Sequence, residues 1–154
     1  MRFLLAGEAA PGHPDALAED DVRGLAARAG VEFLGYRSDL PALLPQADLL
    51  VHPSYYAEGV PRILLEAAAA GVASITTDLP GCREAVVPGE TGLLVPPRDP
   101  ERLAREMAGL AADSPRLAAM GRAARQLAEA RFDIRAVTAT QIALYDALGA
   151  GKAA

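Results

Sequence analysis

The run HPSYYAEGVPRILLEAAAAG, residues 52–71, holds the end of a strand, a turn and a helix in immediate succession. Leu49-Leu50-Val51 before it reads as a buried strand leaving a sheet, and Pro53 stops that strand. Glu58-Gly59-Val60-Pro61 then opens a helix, because proline fits the first helical turn, where its absent N–H would have had no partner. From Ile63 to Ala70 the pattern is apolar on nearly every side except Glu66, which predicts a buried helix. Gly71 supplies its C-terminal stop. Working outward, short apolar or β-branched runs at Phe3–Ala6, Val31–Leu34, Ala73–Thr77 and Gly92–Val95 read as further strands.

Helical spacings alternate with these runs. Asp20 is placed to cap a helix carrying Val22, Leu25, Ala26 and Ala29 that ends at Gly30. Asp39-Leu40-Pro41 starts a short helix through Leu44. Asp78 to Glu84 reads as a loop with a turn at Pro80-Gly81. Asp99-Pro100 and Ser114-Pro115 are read as the caps of two long helices, and a last helix runs from about Ile134 to Leu148. Strands alternating with helices imply an α/β fold, an open doubly wound parallel sheet of five strands, Rossmann-like, with C-terminal helices. Residues 1–148 form the expected domain and residues 149–154 a disordered tail of small residues.

The carboxylates Glu58 and Glu66 have seven residues between them. Glu66 lies about 7.5 Å along the helix from Pro61, too deep to cap the free N–H groups of the first turn. Set among Leu64, Leu65, Ala67 and Ala68, it requires a hydrogen-bonding partner. Two readings are open: an Arg62–Glu66 surface pair at i,i+4, or an acceptor for a ligand beside a helix N-terminus that offers N–H donors and positive partial charge.

Bulk properties exclude several classes. A net charge of −5 argues against a general nucleic-acid surface, for which a basic face would be expected. The single cysteine, Cys82, rules out an internal disulfide or a cysteine-rich zinc site and fits a reducing, cytoplasmic location; it is expected to be inert packing. No run approaches the ~18 apolar residues of a membrane span. His13 reads as a solvated loop residue.

PSYYAEGVPRILLEA, followed by TTDLPGCREAV and GETGLLVPPRDPERLA, resembles the family-4 retaining glycosyltransferases of GT-B fold. The resemblance runs from Leu4 to about Tyr145 and covers only their C-terminal, donor-binding domain. It implies that Glu58 contacts the transferred sugar and that Glu66 accepts hydrogen bonds from the ribose hydroxyls. The backbone of Gly59, Val60, Pro61 and Arg62 would face the sugar and diphosphate. The Gly35-Tyr36-Arg37 loop would meet the nucleobase, with an ordinary strand-to-helix turn as the equal alternative. The implied donor is a nucleotide sugar, UDP-linked by preference, used in bacterial polysaccharide synthesis, with no metal and no other cofactor. One departure is Ala9, standing where the family has the second glycine of a Gly-acid-Gly-Pro turn.

The resemblance also implies six strands in order 3-2-1-4-5-6, of which the first is not matched here. The remaining five, renumbered, would take order 2-1-3-4-5, with Phe3–Ala6 pairing directly with Leu49–Val51. The apolar face of the last helix would be covered by the N-terminal GT-B domain or by a second chain. The family's diphosphate-binding Arg and Lys have no counterpart here, leaving Arg37 and Arg62 as partial substitutes. An isolated chain would then be catalytically incomplete, and peripheral membrane contact would belong to a full-length enzyme. The contrasting function class is a non-catalytic α/β nucleotide-binding or interaction module. Its receiver-like form would need clustered acids at early strand ends; its flavodoxin-like form would need a Ser/Thr/Gly phosphate loop where Ala9-Ala10-Pro11 stands.

Overall fold

The computed structural model describes the backbone of residues 2–8, 15–56 and 58–150, with side chains through 148. Ala9, Ala10 and Pro11 of the first turn, the loop residue His13, and residues 151–154 of the expected tail lie outside the described residues. The chain divides into two compact units, Met1–Leu40 and Pro41–Ala154.

In the first unit β1 (Leu4–Ala6) and β2 (Glu32–Gly35) pair in parallel, with α1 (Glu19–Ala29) as the connection. Gly30 stops α1 at φ 69°, and Gly35 leaves β2 at φ 64°; both lie in the left-handed region where a Cβ is penalised. Asp20 is not the cap of α1: the helix starts two residues earlier than that cap would place it, with Ala18 in the capping position and Glu19, Asp20 and Asp21 all in the first turn. There the three acids interact favourably with the helix dipole instead. β1 is not the buried strand its composition predicts, since Phe3, Leu4 and Leu5 are all exposed.

The second unit begins within α2 (Leu40–Leu43) and a 3-10 turn (Leu44–Gln46). It continues as β3 (Leu49–His52), α3 (Arg62–Ala69), β4 (Ala73–Thr77), α4 (Pro80–Ala85) and β5 (Gly92–Val95). Three long helices follow, α5 (Pro100–Ala112), α6 (Ser114–Arg131) and α7 (Ile134–Ala150). The sheet is parallel, in order β3-β4-β5, with Leu49 opposite Ala73 and Ser74 opposite Gly92. As the middle strand, β4 is buried along its whole length. Ala73 and Ile75 pack with Val95, Leu110 and Met120, whereas Leu64, Cys82, Ala85 and Val86 form a separate cluster lined by Leu50 and Leu94. Cys82 is buried in that cluster, as inert packing requires.

Gly71 sits at φ 75°, its N–H bonded to Ala68 O and that of Val72 to Ala67 O, both at 2.9 Å. This 5→2 and 6→1 pair closes α3 as a Schellman motif. Close backbone packing also fixes Gly121 of α6, where a Cβ would lie 2.3 Å from Gly71 O.

Several expectations are corrected. The five strands do not form one sheet in order 2-1-3-4-5. No ladder joins Phe3–Ala6 to Leu49–Val51, and the strands make a two-stranded and a three-stranded sheet. Among the described residues each ladder joins strands of one unit: β1 pairs with β2, and β3 with β4, because strand pairing is fixed by backbone ladders that the hydrophobic pattern of a single strand does not specify. Residues 80–85 are helical, not loop, because Pro80 occupies the first turn of α4, where it removes no helical hydrogen bond. α3 is only half-buried: Leu64, Ala67 and Ala68 face inward while Arg62 and Ala69 are exposed. The cap of α6 is Asp113, whose carboxylate accepts from Arg116 N at 3.1 Å; Ser114 is already inside the helix. Asp99 caps α5 as expected, accepting from Arg102 N at 2.9 Å. α7 extends to Ala150, with Ile134, Ile142, Leu144, Tyr145 and Leu148 exposed. No helix of the described residues is long and apolar enough to cross a membrane.

Candidate functional site

Ligands of open parallel sheets sit beyond the carboxyl ends of the strands, and β3 delivers His52, Pro53 and Ser54 to that end. Two buried threonines of β4 hold this segment by its backbone. Thr76 Oγ1 donates to His52 O at 2.8 Å, and Thr77 Oγ1 donates to Ser54 O at 2.5 Å. The chain on both sides of Pro53 is thus tied to the strand that is most deeply buried. Ser54 Oγ in turn donates to Glu58 Oε1 at 2.9 Å, and His52 Nε2 stands 3.7 Å from the same oxygen.

The Glu58-Gly59 turn is held from the other side by α4. A Cβ placed on Gly81 would lie 2.0 Å from Gly59 O and 2.8 Å from Glu58 O, so only glycine allows this approach. Past the turn, Pro61 takes the capping position of α3 at φ −62° and ψ 120°, and no side chain caps the helix. Leu64 N donates to Pro61 O at 3.1 Å, and the N–H groups of Arg62 and Ile63 before it have no side-chain cap, beside exposed Gly59 and Val60.

Glu66 has a different environment. Arg62 Nε donates to its Oε1 at 2.7 Å, with Glu66 largely covered and Arg62 exposed. The surface-pair reading is thus realised in the geometry, and it occupies one carboxylate oxygen. Glu66 and Arg62 line an open cavity of about 640 Å³ with Arg125, Phe132, Asp133 and Arg135 of α6 and the start of α7. Glu58 does not line that cavity, so the two carboxylates face different surroundings. A second cavity of about 490 Å³ lies between the ends of β4 and β5 and the start of α5, among Asp78, Pro96, Asp99 and Arg102. Glu58 is absent from that cavity too.

Gly35, Tyr36 and Arg37 belong to the first unit. Tyr36 is strongly exposed, and Arg37 is bound to Asp39 through Nε at 2.7 Å and Nη2 at 2.5 Å. This bidentate pair holds the Asp39 carboxyl below its usual range and the Arg37 guanidinium above its own. Both proposed basic substitutes, Arg37 and Arg62, are therefore already paired.

Sequence reasoning passed over His52, Ser54, Thr76, Thr77, Gly81 and Arg98. Arg98 is the one described non-glycine residue with positive φ, 61°, and its guanidinium lies 4.9 Å from the centre of the Tyr55 ring. Tyr55 in turn stacks at 4.3 Å on Tyr56. For Ser54 and Arg98 the available signal was position, since polar residues shortly after β3 and β5 stand where a ligand would be met; Thr76, Thr77 and Gly81 lie within β4 and α4 and carry no such signal.

The family model described as glycosyl transferases group 1 matches residues 1–113. Glycogen synthase of Mycobacterium tuberculosis is 37% identical over 122 residues, which make up 78% of this chain and 29% of that protein. The N,N'-diacetylbacillosaminyl-diphospho-undecaprenol alpha-1,3-N-acetylgalactosaminyltransferase of Campylobacter jejuni is 34% identical over 116 residues, 75% of this chain and 30% of that protein. The chain thus spans less than a third of either relative. Among solved structures, HepE of Anabaena in complex with UDP-glucose is similar with a TM-score of 0.82 and 28% identity, over 95% of this chain and 40% of that one. With the family match extending over most of its residues, and with parallel strands and flanking helices arranged as in HepE, the chain belongs to the group 1 glycosyl transferases and has the fold of their C-terminal GT-B domain.

Proposed function

We propose that this domain binds the donor of a retaining glycosyl transfer. The donor is a nucleotide sugar, UDP-linked, and a hexose or N-acetylhexosamine passes to a glycan or lipid-linked acceptor in bacterial polysaccharide synthesis. The observation that carries the proposal is the Glu58-Gly59 turn, locked against Gly81 beside the uncapped N-terminus of α3. Such a turn offers fixed N–H donors to a diphosphate and a fixed carboxylate to a sugar. The likeness to HepE, whose structure holds UDP-glucose, supports the same reading. Glu58 is assigned to the sugar, Glu66 to the ribose hydroxyls, and the Gly35-Tyr36-Arg37 loop to the base. Charge on the leaving diphosphate is met by the helix N-terminus and basic side chains, without a metal.

Turnover is proposed to require an acceptor-binding half outside these 154 residues, because orientation and exclusion of water need closure over the donor. Calorimetry of the 154-residue chain with UDP and UDP-glucose tests donor binding, and absence of binding at millimolar ligand refutes it. Multiple-turnover transfer by the chain alone, with UDP-sugars and polyprenyl-linked acceptors, refutes the requirement for a second half.

The Arg62–Glu66 pair at 2.7 Å favours a second reading, a non-catalytic α/β module in which Glu66 serves only the helix surface. Under that reading Glu66→Gln leaves nucleotide affinity unchanged and costs a few tenths of a kcal/mol in stability.

A further inference from the structure

His52 Nε2 is buried and has no hydrogen-bond partner, the only such side-chain atom among the described residues. Buried polar atoms are nearly always satisfied, so an orphan at a strand end calls for a role. The single carboxylate within 4.0 Å of this ring, among the described residues, is that of Glu58, whose Oε1 lies 3.7 Å away. That separation is just outside hydrogen-bond range, and a displacement of roughly 0.7 Å would close it. Ser54 Oγ already donates to this same oxygen. Thr76, its register partner on β4, spends its hydroxyl on the His52 carbonyl, and the Cys82 thiol of α4 lies 3.2 Å from that hydroxyl.

We propose that His52 is a positioning residue for Glu58. It carries its proton on Nε2 and, with Ser54, fixes Oε1 from two sides, so that Oε2 is presented outward as the acceptor for a donor-sugar hydroxyl. The pair itself follows from the geometry; its service to the sugar rests on the donor reading above. His52 does not touch the sugar and acts only through Glu58. Its backbone is immobilised by Thr76, and the imidazole has few rotamers, so the nitrogen is held where the carboxylate can find it.

Two measurements on the 154-residue chain separate the pair from the donor reading. The first needs no ligand: imidazole nitrogen NMR of the wild type and of Glu58→Ala, with His13, the other histidine, as internal reference. The Nε2–H form of neutral His52 is expected in the wild type, with a shift toward Nδ1–H in Glu58→Ala. Identical His52 signals in both overturn the proposal. The second compares the UDP-glucose to UDP affinity ratio by calorimetry. His52→Leu is expected to lower the ratio about fivefold, the worth of one ordinary hydrogen bond. His52→Gln, which keeps an N–H donor at the Nε2 position, is expected to restore it within about twofold, and His52→Leu added to Glu58→Gln is expected to lower it no further. A loss in His52→Leu that Gln fails to rescue, or that persists on top of Glu58→Gln, overturns the proposal. If the wild type binds neither ligand, the donor reading falls, and the NMR comparison alone decides the pair.

Discussion

Gly81→Ala adds one methyl group at the point where α4 meets the Glu58-Gly59 turn. Ordinarily a Gly→Ala change within a helix stabilises, by roughly 0.4–1 kcal/mol, through the entropy of the unfolded chain. Here the new Cβ would lie 2.0 Å from Gly59 O, which is backbone and cannot rotate away. The turn must retreat by about 1 Å to reach an acceptable contact. Overpacking of that kind costs roughly 1–3 kcal/mol, and at this chain length ~2 kcal/mol lowers Tm by about 4–8 °C. A 1 Å misplacement of an orienting group is also of the size that costs about a hundredfold in a reaction, so binding of the donor sugar should weaken more than binding of UDP. Gly109→Ala in α5 is the matched control, because nothing lies within 4 Å of its added Cβ; its Tm should hold or rise. Thermal unfolding and calorimetry with UDP and UDP-glucose supply the readouts. A Gly81→Ala protein as stable as Gly109→Ala, with an unaltered preference for UDP-glucose over UDP, would refute the view that this contact positions Glu58.

Glu66→Gln should weaken UDP binding several-fold or more, losing a charged hydrogen bond worth roughly 1.5–3 kcal/mol, while Glu58→Gln scarcely changes it; equal affinities in calorimetry would reverse or cancel the assigned roles. Asp113→Ala should lower stability by about 1 kcal/mol by removing the cap of α6, whereas Ser114→Ala should not, and urea unfolding of the two variants distinguishes them. Asp133 accepts from the Arg135 side chain and backbone N–H, which hold its carboxyl at about 2. Because this lies below the ordinary value of about 3.9, its contribution is complete above that value and is lost as pH falls toward the folded one. Carboxyl NMR should find Asp133 titrating near the lower value with fraying at the start of α7, and a midpoint near the ordinary value would contradict the contact.

Local signals carried most of the fold. Gly30, Gly35 and Gly71 end or leave their elements in left-handed conformations, and a positive φ is a property of one residue that sequence can announce. Pro80 misled because it serves equally as a turn residue and as the first residue of a helix. The pairing of β1 with β3 could not be judged locally at all. Strand neighbours are fixed by backbone ladders between distant segments, and the hydrophobic pattern of Phe3–Ala6 says that the strand wants cover without saying which edge provides it. The ladders themselves pair β1 with β2 and β3 with β4.

The candidate site divides along the same line. Glu58 and Glu66 were legible because their residue types, spacing and place at a helix start are sequence properties. Glu66 was legible even to its partner, since i,i+4 geometry predetermines the bond to Arg62. What makes the Glu58 turn a fixed object is not local. Thr77 reaches Ser54 across 23 positions and Thr76 reaches His52 across 24, both from the strand packed deepest in the sheet. Gly81 comes from α4, a helix whose Pro80-Gly81 pair is equally a turn signal in the sequence. A carboxylate on an exposed turn would ordinarily sample many orientations, and its order here is imported from the core through a threonine hydroxyl, a serine and a glycine contact. If Glu58 orients a sugar as proposed, the rigidity that this needs is supplied by Thr76, Thr77 and Gly81, all buried behind the turn.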